Sequence, residues 1–488
     1  MHAIKAGAAY DLFNAKQSRA VEHALSQQLP AHTMMQRAGL AVARLAMALA
    51  PRARSVWLAC GPGNNGGDGL QAAAFLQSMG KHCHVSWAGA EHSMSTDTVR
   101  SLAQARQAGV HWCDKLDDVA SEVDLCIDAM LGLGSHGRAI EGQLAQWITQ
   151  IGQHGAPVLA VDLPTGLNPD TGEPNKLAVR ASHTLSLLTL KPGLFTGHGR
   201  DLCGQVWLES LQAPQDAPPK LPTPAARLLG APTLPVRAHA SHKGSYGDVA
   251  VLGGGAGMAG AAVLAGSAAL HGGAGRVYVS LHDSGAPSYD PFQSELMFRA
   301  AHTLELSSMA VVCGCGAGDH AGELLGLALP ASGPLVLDAD ALNAIAADSK
   351  LAEALRARSR RRLATVITPH PLEAGRLLAC SSADVQRDRL SAAERLVQSL
   401  QCCVVLKGSG TVVAMADQIP RICPTGNAKL ATAGTGDVLA GLIGARLAQG
   451  MTAFDAACAA VYQHGALADE WPDTRALTAG RLARALSP

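Results

Sequence analysis

Aromatic residues and net charge are both scarce in this 488-residue chain. Phe, Trp and Tyr make up 3% of the sequence, and 39 Lys and Arg residues balance 39 Asp and Glu residues to a formal net charge of +0. A chain without a basic surplus has no general attraction for nucleic acid or anionic lipid. Few aromatic side chains are present to stack on bases. We therefore expect neither nucleic acid nor a membrane as a partner.

The twelve cysteines lack the spacing of a disulfide framework or a zinc site. The close pairs at 313–315 and 402–403 do not have the Cys-x-x-Cys spacing that zinc sites use. Reduced, mostly buried thiols are typical of a cytosolic protein. The N-terminus carries Lys5 and Asp11 instead of a long apolar core, and Arg44 interrupts the best early apolar stretch. The sequence therefore predicts no signal peptide, no membrane-spanning helix and a cytoplasmic location.

What the chain does have is a repeated alternation of short apolar runs with Ala-rich helical patterns such as 70–79 and 101–108. The runs predict strands at 56–60, 85–87, 125–127, 158–161, 249–252, 277–280, 335–337, 365–367 and 404–406. Strands that alternate with helices are typical of a parallel sheet covered on both faces. We therefore predict an α/β fold with two doubly wound domains, which share this class but no sequence repeat.

A proline-rich seam separates the two halves. A chain of 50.1 kDa is long enough for two or three domains. Between 213 and 236 prolines are too dense for a helix or a central strand. We place one domain at 1–215, a linker at 216–236 and a second domain at 237–488.

A glycine-rich loop at 61–69 follows the first apolar run and leads into a helical pattern. Its five glycines permit tight turns and close approach to a ligand, because no Cβ is in the way. The N-terminus of the following helix attracts anions. Asn64, Asn65 and Asp68 add polar groups that a simple turn would not need. The loop therefore predicts a site for a phosphorylated ligand.

Two acidic residues follow strands that could converge on this loop. Asp128 ends one apolar run and Asp162 ends the next, and ligands of open α/β sheets bind at the carboxyl ends of strands. With Asn65 and Thr165, Asp128 offers oxygen ligands for an alkali or alkaline-earth cation. Arg138 and nearby glycines could bind a second phosphate. Each acid alone could equally form a helix cap or a turn.

In the second half, a glycine turn precedes Asp437 at the start of a helical pattern. The backbone N–H groups of 434–437 would form an anion hole with a carboxylate at its mouth. That pairing suits phosphoryl transfer, with the Asp accepting the proton of the attacking hydroxyl. The same pattern also fits a plain helix cap.

Three further strand ends accompany this turn. Residues 407–411 follow a strand and could wrap nucleotide phosphates, and His370 either contacts a polar substrate or is a capping or core histidine. Asp338 and Asp340 could either form a turn at a strand end or bind a metal ion or the substrate.

Residues 1 to about 215 resemble the epimerase half of the bifunctional NAD(P)H-hydrate repair enzymes, most specifically in the Asn-Asn-Gly-Gly-Asp-Gly loop at 64–69. The resemblance implies a Rossmann-like domain that interconverts the stereoisomers of hydrated NADH or NADPH, with Asp162 as a catalytic residue. The implied potassium ligands are Asn65, Asp128 and Thr165. The implied substrate-binding residues are Asn64, Asn65, Gly66, Gly67, Asp68, Gly132, Leu133, Gly134, Ser135, His136, Gly137, Arg138 and Asp162.

Residues 237 to about 485 are similar to the ADP-dependent NAD(P)H-hydrate dehydratases of the ribokinase-like fold, through 242–244, 253–255 and 314–316. The resemblance implies that ADP phosphorylates the wrongly added hydroxyl and that phosphate then leaves to restore the ring, with Asp437 as the catalytic base and Mg²⁺ on the nucleotide. The implied substrate-binding residues are Ala261, Gly316, His370 and Asp437. The implied nucleotide-binding residues are Lys407, Gly408, Ser409, Gly410, Thr411 and Gly436.

Together the halves predict a metabolite-repair enzyme, both isomerase and lyase, with hydrated NADH or NADPH and ADP as its ligands and a homo-oligomeric assembly. One alternative is a ribokinase-like small-molecule kinase whose N-terminal half only binds nucleotide. Another is a non-catalytic sensor of dinucleotide state. A kinase would leave a stable phosphorylated product, a dehydratase would release inorganic phosphate, and a sensor would turn over nothing.

Overall fold

The computed structural model describes residues 1–89, 94–113, 119, 123–134, 139–211, 221–234, 236–282, 285 and 288–488. Its contacts divide the chain into two compact units. The first comprises Met1–Lys5 and Tyr10–Ala226, and the second comprises Ala6–Ala9 and Arg227–Pro488. No helix within the described ranges is both long and apolar enough to cross a membrane.

The first unit is built from helices and strands that alternate along the chain. In order they are β1 (His2–Ala3), β2 (Tyr10–Leu12), α1 (Ala15–Ser26), α2 (Thr33–Leu49), β3 (Ser55–Cys60), α3 (Asn64–Ser78), β4 (His82–Trp87), α4 (Thr96–Ala108), β5 (His111–Trp112), β6 (Leu125–Ala129), α5 (Gly142–His154), β7 (Val158–Val161), β8 (His183–Leu187), α6 (Gly199–Leu202) and β9 (Gln205–Glu209).

The sheet of the first unit has the strand order β1-β9-β8-β7-β6-β3-β4-β5. Its strands are parallel except β1, which runs antiparallel to β9. Side chains of β3 point alternately to the two faces of the sheet. Leu58 packs in one hydrophobic cluster and Trp57 in another, so both faces of the sheet are covered. The strand order reverses between β3 and β6, and such a switch point opens a crevice at the carboxyl ends of the strands.

The second unit continues the same alternation. In order it contains β10 (Ala226–Leu228), β11 (Asp248–Gly253), α7 (Ala259–His271), β12 (Arg276–Leu281), β13 (Met297–Phe298), β14 (Ala310–Cys313), α8 (Ala321–Ala328), β15 (Leu335–Leu337), α9 (Asp340–Ala347), α10 (Ser349–Arg360), β16 (Thr365–Ile367), α11 (Pro371–Leu378), α12 (Ser382–Arg387), α13 (Arg389–Leu400), β17 (Cys403–Leu406), β18 (Val412–Ala414), β19 (Arg421–Ile422), α14 (Thr435–Ala448), α15 (Ala453–Asp469) and α16 (Ala479–Ala485).

The sheet of the second unit contains the strand order β13-β12-β11-β14-β15-β16-β17-β18-β19-β10. The strands from β13 to β17 are parallel, and β18 runs antiparallel to both its neighbours. This order reverses between β11 and β14, which gives the second unit its own switch point. The predicted α/β fold class, with two doubly wound units, is therefore confirmed.

Each predicted strand is present, and most extend a residue or more beyond the predicted bounds. The glycine-rich loop is shorter than predicted, because α3 already begins at Asn64 and leaves only 61–63 as loop. Several glycines of this segment allow close packing against neighbouring residues and do not form a turn. A Cβ on Gly66 would lie 1.9 Å from the carbonyl oxygen of Gly61, and one on Gly69 would lie 2.4 Å from the Cβ of Ala129.

The proline-rich seam, predicted as a linker or an extended surface crossing, contains a regular strand. Its residues 212–220 and 235 lie outside the described residues, but β10 falls within 216–236 and pairs with β19 in parallel. Pro222 and Pro224 precede this strand and no proline interrupts it. The backbone N–H groups of Arg227 and Leu229 donate to Pro420 and Ile422. Proline density thus excludes regular pairing only where the prolines themselves stand.

Close packing of α14 on α7 depends on a glycine, and this can be tested. A Cβ on Gly441 would lie 2.0 Å from the carbonyl oxygen of Ala265. We expect Gly441→Ala to destabilise the protein by at least ~1–3 kcal/mol, because a backbone carbonyl cannot move aside as a side chain can. Calorimetry or urea unfolding would measure the loss.

Gly326→Ala in α8 is the matched control, since a Cβ there would meet nothing within 4 Å. It should raise stability by ~0.5–1 kcal/mol, because alanine loses less conformational entropy in a helix. Equal effects of the two substitutions would contradict the packing argument.

Candidate active sites

A cavity of about 940 Å³ lies at the switch point of the first unit. Among the predicted substrate-binding residues, those that line it are Asn64, Asn65, Asp68, Gly132, Leu133, Gly134 and Asp162. Gly66 and Gly67 do not line it; they are buried, and a Cβ on Gly67 would lie 2.6 Å from the terminal methyl of Met35. The predicted residues Ser135, His136, Gly137 and Arg138 lie outside the described residues.

Asp162 is held in the cavity wall by a lysine that the sequence analysis did not identify. Lys191 is 1% exposed, and its ammonium group forms an ion pair with Asp162. The same ammonium donates to the hydroxyl of Ser186 at 3.1 Å. Asp162 also accepts a hydrogen bond from the backbone N–H of Leu187 at 3.1 Å. Removing one partner of such a buried pair costs about 3–5 kcal/mol, because the other charge is left uncompensated.

Glu22, in α1, and Asp68, in α3, line the cavity together with Asp162. Burial and then the charge of Asp162 raise the pKa of Glu22. Burial and then the charges of Glu22 and Asp162 raise the pKa of Asp68 well above its usual range. Three carboxylates thus line one cavity, and the pKa values of two of them, Glu22 and Asp68, are raised, which favours general acid–base chemistry there. Glu22 was missed, since nothing in its sequence neighbourhood distinguishes it from an ordinary helical residue.

The predicted cation ligands lie close to this cavity. Asp128 is fully buried, and the Thr165 hydroxyl and backbone N–H donate to its two oxygens, each at 2.7 Å. Burial raises the pKa of Asp128 to about 6, although these hydrogen bonds and one from Met130 oppose the shift. Asn65 lines the cavity, and its side-chain nitrogen is buried without a hydrogen-bond partner among the described residues.

In the second unit the predicted base and nucleotide residues converge at the start of α14. Asp437 lies in its first turn, and Gly434, with φ 87°, precedes the helix as its cap. A Cβ on Gly436 would lie 3.3 Å from the ammonium nitrogen of Lys407. That nitrogen lies 2.6 Å from a carboxylate oxygen of Asp338. Ligand atoms of Cys315, Asp338 and Asp437 all lie within 4.8 Å of one another.

Asp437 titrates near neutrality in this environment. Burial and then the charge of Asp338 raise its pKa to about 7, while the thiol of Cys315 and the charge of Lys407 act in the opposite direction. Burial would lower the pKa of Lys407, but the carboxylates of Asp338 and Glu373 outweigh it and raise that pKa. Such an arrangement keeps Lys407 charged and leaves Asp437 able to gain or lose a proton at physiological pH.

The predicted substrate residues of this unit fall into two places. Gly316 follows Cys315 and has φ 62°, and a Cβ there would lie 2.9 Å from the Cβ of Ala261. His370 caps α11, since its Nδ1 accepts from the backbone N–H of Leu372 at 3.1 Å. Burial and then the charge of Lys407 lower the pKa of His370. His370 therefore caps α11, as one interpretation expected, and Nε2 of its half-exposed ring lies 3.2 Å from a carboxylate oxygen of Glu373.

The loop at 407–411 is supported from behind by a buried arginine that sequence reasoning also missed. Arg389 donates to the carbonyl oxygens of Leu406 at 3.0 Å and Lys407 at 3.1 Å. Gly408 has φ 131°, and a Cβ there would lie 2.9 Å from the guanidinium of Arg389. Only glycine therefore fits this bend without strain. The Thr411 hydroxyl donates to the carbonyl oxygen of Gly408 at 3.0 Å.

Each unit thus collects carboxylates of raised pKa at the switch point of a mainly parallel sheet, which is typical of α/β enzymes that act on nucleotides. The family model described as YjeF-related protein N-terminus matches residues 31–193, and the one described as NAD(P)H-hydrate dehydratase matches residues 249–487.

Two relatives match nearly the whole chain. The bifunctional NAD(P)H-hydrate repair enzyme Nnr of Coxiella burnetii is 35% identical over 471 residues, which are 94% of each chain. That of Escherichia coli is 36% identical over 463 residues, 90% of this chain and 85% of the relative. The chain therefore belongs to the family of bifunctional NAD(P)H-hydrate repair enzymes. The prediction of an enzyme with an epimerase and a dehydratase half is confirmed at that level.

A solved structure also resembles the second half. It is the ADP/ATP-dependent NAD(P)H-hydrate dehydratase from Bacillus subtilis, co-crystallised with ATP and Mg²⁺. It is 29% identical and covers 51% of this chain and 91% of its own, with a TM-score of 0.42.

Proposed function

We propose that the first unit interconverts the R and S forms of hydrated NADH and NADPH, and that the second dehydrates the S form with ADP, releasing AMP and phosphate. We assign these activities to residues 1–215 and 237–488, joined through 216–236, which the division into two compact units supports. The observation that carries the proposal is Asp437, whose carboxyl group has a pKa of about 7 at the N-terminus of α14.

Dehydration begins when Asp437 takes the proton of the wrongly added hydroxyl group. The hydroxyl oxygen attacks the β-phosphorus of ADP, and the bond to AMP breaks. Phosphate then leaves with its electron pair, and loss of a ring proton restores the double bond. Phosphate is a far better leaving group than hydroxide, so a nucleotide is consumed for a dehydration. The N–H groups at 434–437 and the helix dipole of α14 stabilise the moving phosphoryl charge.

The remaining predicted residues bind the two ligands in this proposal. Ala261, Gly316 and His370 face the hydrate, while Gly436 and the loop at 407–411 hold the nucleotide. Mg²⁺ is usually bound by one or two carboxylates together with substrate phosphates. The side chain of Asp338 is 2% exposed and its second oxygen faces Gly436, so it fits as such a ligand. The ion would neutralise phosphate charge.

Epimerisation inverts the carbon that carries the hydroxyl group. The hydroxyl is protonated and leaves as water while the electron pair of the ring nitrogen forms a C=N bond, and water then adds to the opposite face and loses a proton. One group must therefore give a proton and another must take one. Asp162, ion-paired with Lys191, is the acceptor that we propose. Asp68, whose pKa is raised by burial and by Glu22 and Asp162, is the donor. Asn64, Asn65, Asp68 and the segment 132–138 bind the dinucleotide in this proposal, whereas Gly66 and Gly67 are buried away from the cavity.

We assign a potassium ion to Asn65, Asp128 and Thr165. Asp128 is a fully buried carboxylate without a cationic partner among the described residues, and the Thr165 hydroxyl lies 2.7 Å from one of its oxygens. A buried carboxylate without a compensating charge, next to a second oxygen ligand, fits a cation held by oxygen ligands, to which Asn65 would add its side-chain oxygen. The ion would supply a positive charge that offsets Asp128 and orders the loops that carry the three residues.

Two finer points belong to the proposal. They are a homo-oligomeric assembly and a cytoplasmic location, of which the second is favoured by cysteines without a disulfide framework. Multi-angle light scattering measures the first, and cell fractionation measures the second.

Reciprocal variants separate the two activities. With mixed isomers and ADP, the wild type should restore all the NADH, measured by its absorbance. Asp162→Asn should restore only the S fraction within the assay time, because R is no longer converted. Asp437→Ala should restore none while R and S still equilibrate by chromatography. The retained activity of each variant shows that its unmutated unit is intact, and circular dichroism with a Tm measurement checks that the mutated unit is folded.

Phosphate release separates the dehydratase from the alternative kinase. One inorganic phosphate should appear for each NADH restored. A stable phosphorylated product would contradict the dehydratase assignment, and full NADH recovery by Asp437→Ala would contradict the assignment of the base.

The pH dependence of dehydration follows from the pKa of Asp437. The base acts only when ionised, so kcat/KM should rise with pH through a midpoint at about 7. Asp338→Asn should lower the midpoint, because it removes a charge that raises this pKa. Lys407→Met should raise the midpoint, because it removes a charge that lowers it. If the midpoints of the two variants shift in the same direction, or do not shift, Asp437 is not the group whose ionisation controls the reaction.

The potassium site predicts an ion dependence confined to the first unit. At constant ionic strength, replacing K⁺ by tetramethylammonium should slow epimerisation and lower the Tm of the protein. Thr165→Ser should keep both responses because the hydroxyl remains, whereas Thr165→Val should lose them. Dehydration of pure S isomer by Thr165→Val serves as the internal control and should match the wild type. Equal epimerisation with and without K⁺ would exclude the site.

A further inference from the structure

Three metal-ligating side chains cluster in the second unit outside the dehydratase residues. His282 directly follows β12, His320 immediately precedes α8, and Glu323 lies in the first turn of α8. Nε2 of His282 lies 3.4 Å from Oε2 of Glu323, and Nδ1 of His320 lies 3.9 Å from the same oxygen. The imidazole centroids are 3.9 Å apart with an interplanar angle of 32°. One nitrogen of each ring thus faces a shared carboxylate.

These distances are close to those of a tetrahedral zinc site. Zinc binds imidazole nitrogen at about 2.0–2.1 Å and carboxylate oxygen at about 2.0–2.2 Å, so neighbouring ligand atoms of a tetrahedron lie about 3.3–3.5 Å apart. The three ligand atoms here lie within 4.8 Å of one another. Small rotations of partly exposed side chains would close the remaining difference.

The composition of the cluster favours a cation over an anionic ligand. Two histidines alone would suit a phosphate group, but the carboxylate of Glu323 between them would repel it. Two imidazolium charges at this ring separation would also repel each other. Two imidazoles and one carboxylate are instead ligands that zinc accepts, with a fourth position for water.

We propose that His282, His320 and Glu323 form a binding site for a divalent transition-metal ion of the zinc class. The site does not depend on the proposed activity of Asp437.

The position of the cluster gives the ion a structural consequence. β12 and β14 flank β11, and the backbone N–H of His282 donates to the carbonyl oxygens of Gly253 at 3.1 Å and Gly254 at 3.2 Å. A bound ion would therefore join the ends of β12 and β14 across the turn that follows β11. Within that turn, the backbone N–H of Gly255 donates to the carbonyl oxygen of Gly316 at 2.6 Å. The ion would restrain one wall of the dehydratase crevice.

The test compares zinc binding by full-length variants in isothermal titration calorimetry. His320→Ala and His282→Ala should each bind one Zn²⁺ fewer per chain than the wild type. His302→Ala is the matched control, because His302 is an exposed histidine of the same unit outside the cluster. It should bind as many ions as the wild type. Circular dichroism checks that each variant is folded, and Glu323→Gln, which keeps the side-chain size, should weaken the same site.

Other thiols and histidines are further candidate zinc ligands, among them the group His84, His111 and Cys113 in the first unit. The test therefore compares the number of ions bound by each variant with the number bound by the wild type. Anomalous scattering from zinc-soaked crystals should give a peak between the three side chains. Equal stoichiometry and affinity in the wild type and His320→Ala, or no peak at the cluster, would overturn the proposal.

Discussion

In both units, carboxylates are removed from water where the strand order of a parallel sheet reverses. A buried carboxylate loses its hydration and stays charged only if hydrogen bonds or a cation replace the water. Asp128 and Asp437 are only partly compensated in this way, so burial raises their pKa values to about 6 and about 7. This partial compensation leaves a carboxyl group able to exchange a proton near neutral pH, which a fully solvated or fully paired acid could not do.

The backbone must come very close to itself to bury these groups, and glycine permits it. A Cβ on Gly61 would lie 1.7 Å from the carbonyl oxygen of Met130, and one on Gly253 would lie 2.2 Å from that of Cys315. Each contact joins the two strand ends of a switch point. The glycines that the sequence analysis interpreted as a cradle for phosphate therefore first hold together the loops that carry the acids. Their use in ligand binding depends on that packing.

Residues that follow a strand could be predicted from the sequence, because their place at the sheet edge is a local property. Asp162, after β7, and Lys407, after β17, are of this kind. Their partners could not be predicted, since Lys191, Arg389 and Glu22 belong to other elements and no local pattern relates them to the sites. The start of α3 at Asn64 was missed for a related reason. Its glycines oppose a helix by propensity, and only the tertiary contacts of Gly66 and Gly69 explain them.

The buried carboxylates differ in what compensates them, and the difference bears on the ion requirement of each site. Asp162 has Lys191 and Asp338 has Lys407, so each carries a cation that the chain itself supplies. Asp128 has only the hydrogen bonds of Thr165 and Met130 among the described residues. Hydrogen bonds that a carboxylate accepts from neutral donors compensate its buried charge less completely than a cation does. A dissolved cation near Asp128 would therefore stabilise the first unit, because it would neutralise the buried carboxylate. A cation near Asp338 would have to compete with Lys407, so it would bind mainly through the phosphates of the nucleotide.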